Sequence, residues 1–183
     1  MADDPGTRER ILAIASELFA ARGYAGTSVA DIAGRLGTTK AALYYHFRSK
    51  AEILDALLAK PVAAYARLVD SGPRSPEDLL AAVIDTTAES SGLHGLIDND
   101  PSARAVLRER SRQLGADEIN DALVAELAGP LPSAARRVAA HAAYAVAKQG
   151  TLNFLAETGH LTPGGRAELL AAALRAFDSS RWA

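Results

Sequence analysis

Between residues 36 and 50 the ionised side chains are Lys40, Arg48 and Lys50, and no acid stands anywhere from 34 to 51. Tyr44, Tyr45 and His46 lie among those cations. This mixture suits contact with a polyanion: lysine and arginine neutralise phosphates, while tyrosine and histidine donate to phosphate oxygens or base edges. The whole chain carries a formal charge of −2, so the basic character is local. A local patch suffices, because exposed charges act over about one Debye length, roughly 8 Å at physiological salt.

The surrounding residues must hold those groups in place. Ser28 and Asp31 are spaced as a capping box. Val29, Ile32, Ala33 and Leu36 then follow at i, i+3, i+4 and i+7, the apolar stripe of one helix. Gly37 permits a sharp turn, and Thr39 caps a second helix with Leu43 and Phe47 inward. Its outer face carries Lys40, Ala41 and Tyr44, with Tyr45 at the flank. Two short helices joined by a glycine turn, the second exposed, make a helix-turn-helix pattern and a DNA-reading head. Upstream, Thr7 is placed to cap a bracing helix with Ile11, Leu12, Ala15, Leu18 and Phe19 inward, closed by Arg22 and Gly23. Downstream, Ser49 and Glu52 have capping-box spacing and open a fourth helix; Lys50 lies in its first turn. Pro61 is expected to kink or break that helix near Lys60.

The rest of the chain keeps helical spacing. Ser75-Pro76-Glu77-Asp78 is a helix start. Residues 90–100 are interrupted by Gly92 and Gly95, and Asp100-Pro101 opens a helix expected to reach about Ala128, with Gly115 its weak point. Two alanine-rich helices close the chain, over about 133–158 and from Pro163 through Phe177. No β pattern appears. The expectation is an all-α protein of about nine helices: a three-helix head over 1–48, then a helical effector-binding and dimerisation body over 49–183. Small side chains around the last two helices suit close approach across a two-fold axis, with Val146, Leu155, Leu170, Leu174 and Phe177 as candidate interface residues.

Other chemistry finds little support. Hydrophobic residues make up 49% of the chain, which argues for a folded core, and the absence of cysteine excludes disulfides, thiol redox chemistry and zinc fingers. The acidic start, MADDPG, is unlike a secretory signal, and the longest apolar run, 138–147, is far short of the ~20 residues of a membrane span; a cytoplasmic location is expected. Glu157-Thr-Gly-His160 spells E-x-x-H, but Gly159 should end the helix and no second copy exists, so no metal site is expected. No convergent acid, base or nucleophile set points to an enzyme, and no cofactor is implied. Pocket candidates for a small-molecule effector are Tyr65, Gln113, Tyr144 and Asn153, polar residues on otherwise apolar helices, with His94 between two glycine breaks and Arg104 and Arg108 on a basic ridge. Either of the two arginines could hold an acidic group by bidentate contact.

The stretch TRERILAIASELFAARGYAGTSVADIAGRLGTTKAALYYHFRSKAEIL resembles the DNA-binding domain of the tetracycline-repressor (TetR) family of transcriptional regulators. The GYxxTSVxDIA block, the ALYYHF block and Lys50 occur in the expected order. Beyond Leu58 the likeness is architectural only. The resemblance implies a homodimeric repressor whose two heads enter successive major grooves of a near-palindromic operator and are released by a small molecule in the body. It also implies that Thr27 and Ser28 touch phosphate and that Thr39, Lys40 and Ala41 open the recognition helix. Tyr44, Tyr45 and His46 would contact phosphates and bases, and Lys50 would clamp phosphate. Thr38 and Ala41 depart from the residues usual at their positions, which leaves the operator sequence open. Two alternatives are an effector-independent dimeric DNA-binding protein and a helical-bundle enzyme with a vestigial head.

Overall fold

The computed structural model describes residues 5–90 and 101–178. Among the described residues there are nine helices and no strand: α1 (Pro5–Arg22), α2 (Val29–Leu36), α3 (Lys40–His46), α4 (Lys50–Asp70), α5 (Pro76–Glu89), α6 (Pro101–Gln113), α7 (Ala116–Ala128), α8 (Ala134–Thr158) and α9 (Pro163–Asp178). The protein is all-α.

The chain divides into two compact units. One comprises Met1–Lys60 and Gly92–Leu114, the other Pro61–Ser91 and Gly115–Ala183. In the first, Ile11, Phe19, Ile32, Leu43, Phe47 and Leu54 are among the residues of one fully buried core. These are the apolar stripes of α1 to α4, so helical periodicity translates directly into burial. Asp55 and Arg110 pair at 3.1 Å and tie α4 to α6.

In the second unit, Leu79, Leu80, Val83, Ile84, Leu123 and Ala143 are buried together. Helices α8 and α9 approach closely where their side chains are small. A Cβ added at Gly150 would stand 3.1 Å from Leu169, and one at Gly165 would overlap the Phe154 ring. Glycine at those positions lets the large partner seat against backbone. A bidentate pair, Arg166 to Asp85 at 2.6 and 2.7 Å, joins α9 to α5.

Several boundaries differ from expectation. Helix α1 begins at Pro5, ahead of Thr7; proline suits a first turn, where its missing N–H is no loss. Helix α4 runs through Pro61 without breaking, and only the Leu57 carbonyl forgoes its i+4 donor. The helix expected to continue to Ala128 is instead two, because Gly115 adopts φ 82° between α6 and α7. Glu52 caps one residue early: Ser49 Oγ accepts from the Glu52 N–H, but the Glu52 carboxylate accepts from Arg48 N–H at 2.7 Å rather than from Ser49. The Ser28–Asp31 box, the Thr39 and Ser75 caps and the left-handed Gly37 and Gly159 stand as expected.

Two glycines of the head give opposite expectations. A Cβ at Gly26 would lie 2.3 Å from the Arg22 carbonyl oxygen, whereas one at Gly34 meets nothing within 4 Å. Gly26→Ala should cost about 1–3 kcal/mol through backbone displacement. Gly34→Ala, inside α2, should gain up to about 1 kcal/mol of helix propensity. Urea unfolding midpoints of the two variants check both signs.

Candidate functional site

Helix α3 is built to expose one face. Thr39 is extended, and its Oγ1 accepts from Ala42 N–H at 3.1 Å. Leu43 and Phe47 are fully buried, and the Arg8 guanidinium lies 4.7 Å from the Phe47 ring centre. What remains outward is Lys40, Ala41, Ala42, Tyr44 and Tyr45, the two tyrosines 42% and 69% exposed. Lys40 Nζ stands 5.7 Å from the Tyr44 ring centre. His46 is half-buried, edge-on to Tyr45. Ser28 is exposed at the start of α2; its N–H and hydroxyl both donate to Asp31, which holds that carboxyl below its usual range.

Two residues expected at phosphates are occupied within the head. Thr27 is 1% exposed, and its hydroxyl donates to the carbonyls of Gly23 (2.9 Å) and Leu18 (3.2 Å). Lys50 Nζ donates to Tyr24 O at 2.7 Å and Thr27 O at 2.9 Å, and lies 4.2 Å from the Tyr24 ring centre. The cause is the α1–α2 connection: its turn leaves carbonyls that no helix ladder satisfies, and the ammonium supplies the donors. Burial lowers the Lys50 pKa. Both side chains are thus tied to the α1–α2 connection.

In the second unit the structure brings together Tyr65 and Tyr144 from the pocket candidates and adds Lys148, Asn120 and Thr87, which sequence reasoning missed. The Tyr65 and Thr87 hydroxyls share a hydrogen bond, and Thr87 donates onward to Val83 O at 2.6 Å. Tyr144 donates to Asn120 Oδ1, which also accepts from Lys148 Nζ at 2.9 Å. That ammonium is 4.4 Å from the Tyr65 ring centre. Burial pushes the Tyr65 hydroxyl up to about 12 and raises that of Tyr144; it pulls Lys148 down to about 8, against the opposing pull of Asp117. The i,i+4 spacing of Tyr144 and Lys148 on an alanine-rich helix was the available signal. Other candidates lie elsewhere. Asn153 is exposed and pairs with Gln149, and Arg108 is exposed in the first unit. His94 and the Arg104 side chain fall outside the described residues.

Of the expected interface residues, Phe177 is instead a core residue, 4% exposed and covered by the Arg136 guanidinium at 3.6 Å. Val146, Leu170 and Leu174 are half-buried against the same core, and Leu155 is half-buried. A shallow, mostly apolar cavity of about 270 Å³ lies between α7 and α8, lined by Val124, Ala125, Ala128 and Pro132 together with Asp121, Arg137 and His141. Among the described residues no cluster of histidines and acids could hold a metal, and no helix is long and apolar enough to cross a membrane.

Two lysine variants separate these roles. Lys50→Met should destabilise the protein by about 1.5–3 kcal/mol, the worth of charged hydrogen bonds, measured as a lower urea midpoint. Lys148 carries a folded pKa near 8 against 10.5 for the free side chain. As pH rises from about 8 toward 10.5 the unfolded chain keeps a proton the folded chain has shed, so stability should rise in that window. Compared with Lys148→Met, the wild-type urea midpoint should therefore increase between pH 7 and pH 9.5.

Comparisons with known proteins agree with this geometry. Residues 11–57 match the family model of bacterial regulatory proteins, tetR family. The HTH-type transcriptional repressor KstR2 of Rhodococcus jostii (strain RHA1) is 37% identical over 117 residues, 62% of this chain and 54% of that protein. The HTH-type transcriptional regulator TtgR of Pseudomonas putida is 48% identical over 52 residues, 28% of this chain and 25% of that one. The matched segments thus span about half or less of these relatives. Among solved structures, a TerR/AcrR-family transcriptional regulator from Aquifex aeolicus VF5 superposes with a TM-score of 0.75 at 22% identity, covering 92% of this chain and 98% of that one. Mycobacterium smegmatis AmtR gives 0.64 at 28% identity, covering 97% and 89%. The likeness to the tetR family of bacterial regulatory proteins is thus carried by the head, residues 11–57, while the remainder shares the all-helical architecture of these solved structures.

Proposed function

We propose that the protein is a transcriptional regulator that binds a near-palindromic operator as a homodimer and is released from it by a small molecule held in the body. The observation that carries this reading is the outer face of α3, where Lys40, Ala41, Tyr44 and Tyr45 are exposed on a helix whose other side is locked into the head. Lys40 can donate to guanine O6 and N7, and Ala41 can meet a thymine methyl. Tyr44, Tyr45, His46, Ser28 and Thr39 supply the phosphate and flanking contacts, which set register rather than sequence. Thr27 and Lys50 act one step back, by fixing the connection that orients α2 and α3.

The body divides between dimerisation and sensing. On α8, Val138, Ala142, Ala145 and Gln149 are exposed at i, i+4, i+7 and i+11, and on α9 Ala167 and Ala171 are exposed. Small side chains on two adjacent helices let a second copy approach closely, as a two-fold four-helix contact requires. The relatives named repressors suggest the sign of regulation, and no convergent catalytic set favours an enzyme.

DNA from upstream of the protein's own gene provides the test, titrated by fluorescence anisotropy at two salt concentrations. Specific binding should weaken steeply with salt, each neutralised phosphate adding about 0.9 to the log–log slope. Tyr44→Ala should lower affinity about tenfold or more while leaving the melting temperature unchanged, because Tyr44 supports no core. Equal affinity of wild type and variant would remove α3 from the interface. A monomer in sedimentation at micromolar concentration would remove the dimer.

A further inference from the structure

Among the described residues Lys148 has an incomplete set of partners. An ammonium carries three donors. One reaches Asn120 Oδ1 at 2.9 Å, and a second approaches the Tyr144 hydroxyl at 3.5 Å. That hydroxyl donates its own proton to the same Asn120 oxygen, which is thereby filled by two donors. The rings of Tyr65 and Tyr144 lie 4.4 and 5.6 Å from the ammonium. Among the described residues no carboxylate forms an ion pair with Lys148, and Asp117 acts on it from farther away. A sequestered cation is costly unless paired, yet the residue stands at a position where α8 is otherwise rich in alanine. Two neutral hydroxyls, one saturated amide oxygen and one positive charge together favour a single negative charge.

We propose that Lys148 is the anion-reading group of a binding site in the body, and that its ligand is a small organic monocarboxylate. The carboxylate accepts from the one Lys148 donor left unmet by Asn120 and Tyr144. A neutral amide or alcohol offers no charge to offset the ammonium, and a cation is repelled. This site deepens the effector reading above and rests on it for its regulatory meaning, though not for its chemistry.

The test uses benzoate and its neutral isostere benzamide on the full chain, by calorimetric titration and thermal melting. Benzoate should bind and raise the melting temperature, benzamide should do neither, and Lys148→Met should weaken benzoate at least tenfold. A second arm needs no variant. The charged and titratable groups facing Lys148 are Asp117 of α7, Tyr65 of α4 and Tyr144 of α8, and both tyrosine hydroxyls are held above their usual range. Benzoate affinity of the wild type should therefore fall about tenfold from pH 7 to pH 9.5 as the ammonium is lost. Failure of benzoate to bind, equal binding of benzamide, undiminished binding to Lys148→Met or a flat pH profile would each overturn the site. Operator titrations run alongside separate the two readings. Intact specific DNA binding without benzoate binding removes the site and leaves the regulator. Lys148-dependent benzoate binding that leaves DNA affinity unchanged keeps the site and removes release by that ligand.

Discussion

A helix of seven residues cannot hold itself together in water, because its few hydrogen bonds do not offset the cost of nucleation. Helix α3 is that short, and it carries the residues proposed to read bases. Its existence depends on what lies beneath it. Leu43 and Phe47 are fully buried, the Thr39 hydroxyl caps the first turn, and Gly37 turns the chain into it with φ 71°. Nearly every group facing the head is committed to holding the helix, so the outer face is free to carry chemistry without supporting the fold. This division explains why Tyr44 and Tyr45 can be large, apolar and exposed in one small head.

Lys50 and Lys148 show two outcomes of the same electrostatic problem. Each is a cation partly withdrawn from water beside a tyrosine ring, and burial lowers the pKa of each. Lys50 meets two backbone carbonyls at 2.7 and 2.9 Å, acceptors that need a donor as much as it needs them. The exchange is mutual and closes the α1–α2 connection. Lys148 meets one amide oxygen that a tyrosine already occupies. Its larger downward shift, to about 8, follows from its deeper burial. The first lysine holds two backbone carbonyls at short distance; the second shares its one short acceptor with a tyrosine, and that sharing makes it the candidate for binding.

How much of this was legible beforehand depended on the range of the interaction. Capping boxes, proline starts and glycine stops act within four residues, and Ser28, Thr39, Ser75, Gly37 and Gly159 were all readable from spacing. The inward stripes of α1 to α4 were readable for the same reason. Gly115 was visible as a weak point, but whether a glycine bends or breaks a helix depends on packing that spacing does not encode. The bonds of Thr27 and Lys50 within the head were not legible because their partners are backbone carbonyls, which no residue type advertises. The bond from Lys50 to Tyr24 crosses 26 residues, and the one from Lys148 to Asn120 crosses 28. Phe177 looked like an interface residue because an apolar stripe does not say whether its cover comes from the same chain; here the Arg136 guanidinium covers it.

The small residues of α8 and α9 divide by the same reasoning. Gly150 and Gly165 are small because Leu169 and Phe154 come against them from within the chain, so intramolecular packing fully accounts for them. Ala142, Ala145, Ala167 and Ala171 are instead exposed. An exposed helix position free of constraint ordinarily accepts long polar side chains, which help solubility and cost nothing in packing. A stripe of alanines with Val138 at its end is what the proposed dimer contact requires, and the distinction is physical. Enlarging Gly165 should unfold the body, whereas enlarging Ala145 should leave it folded and change only its association.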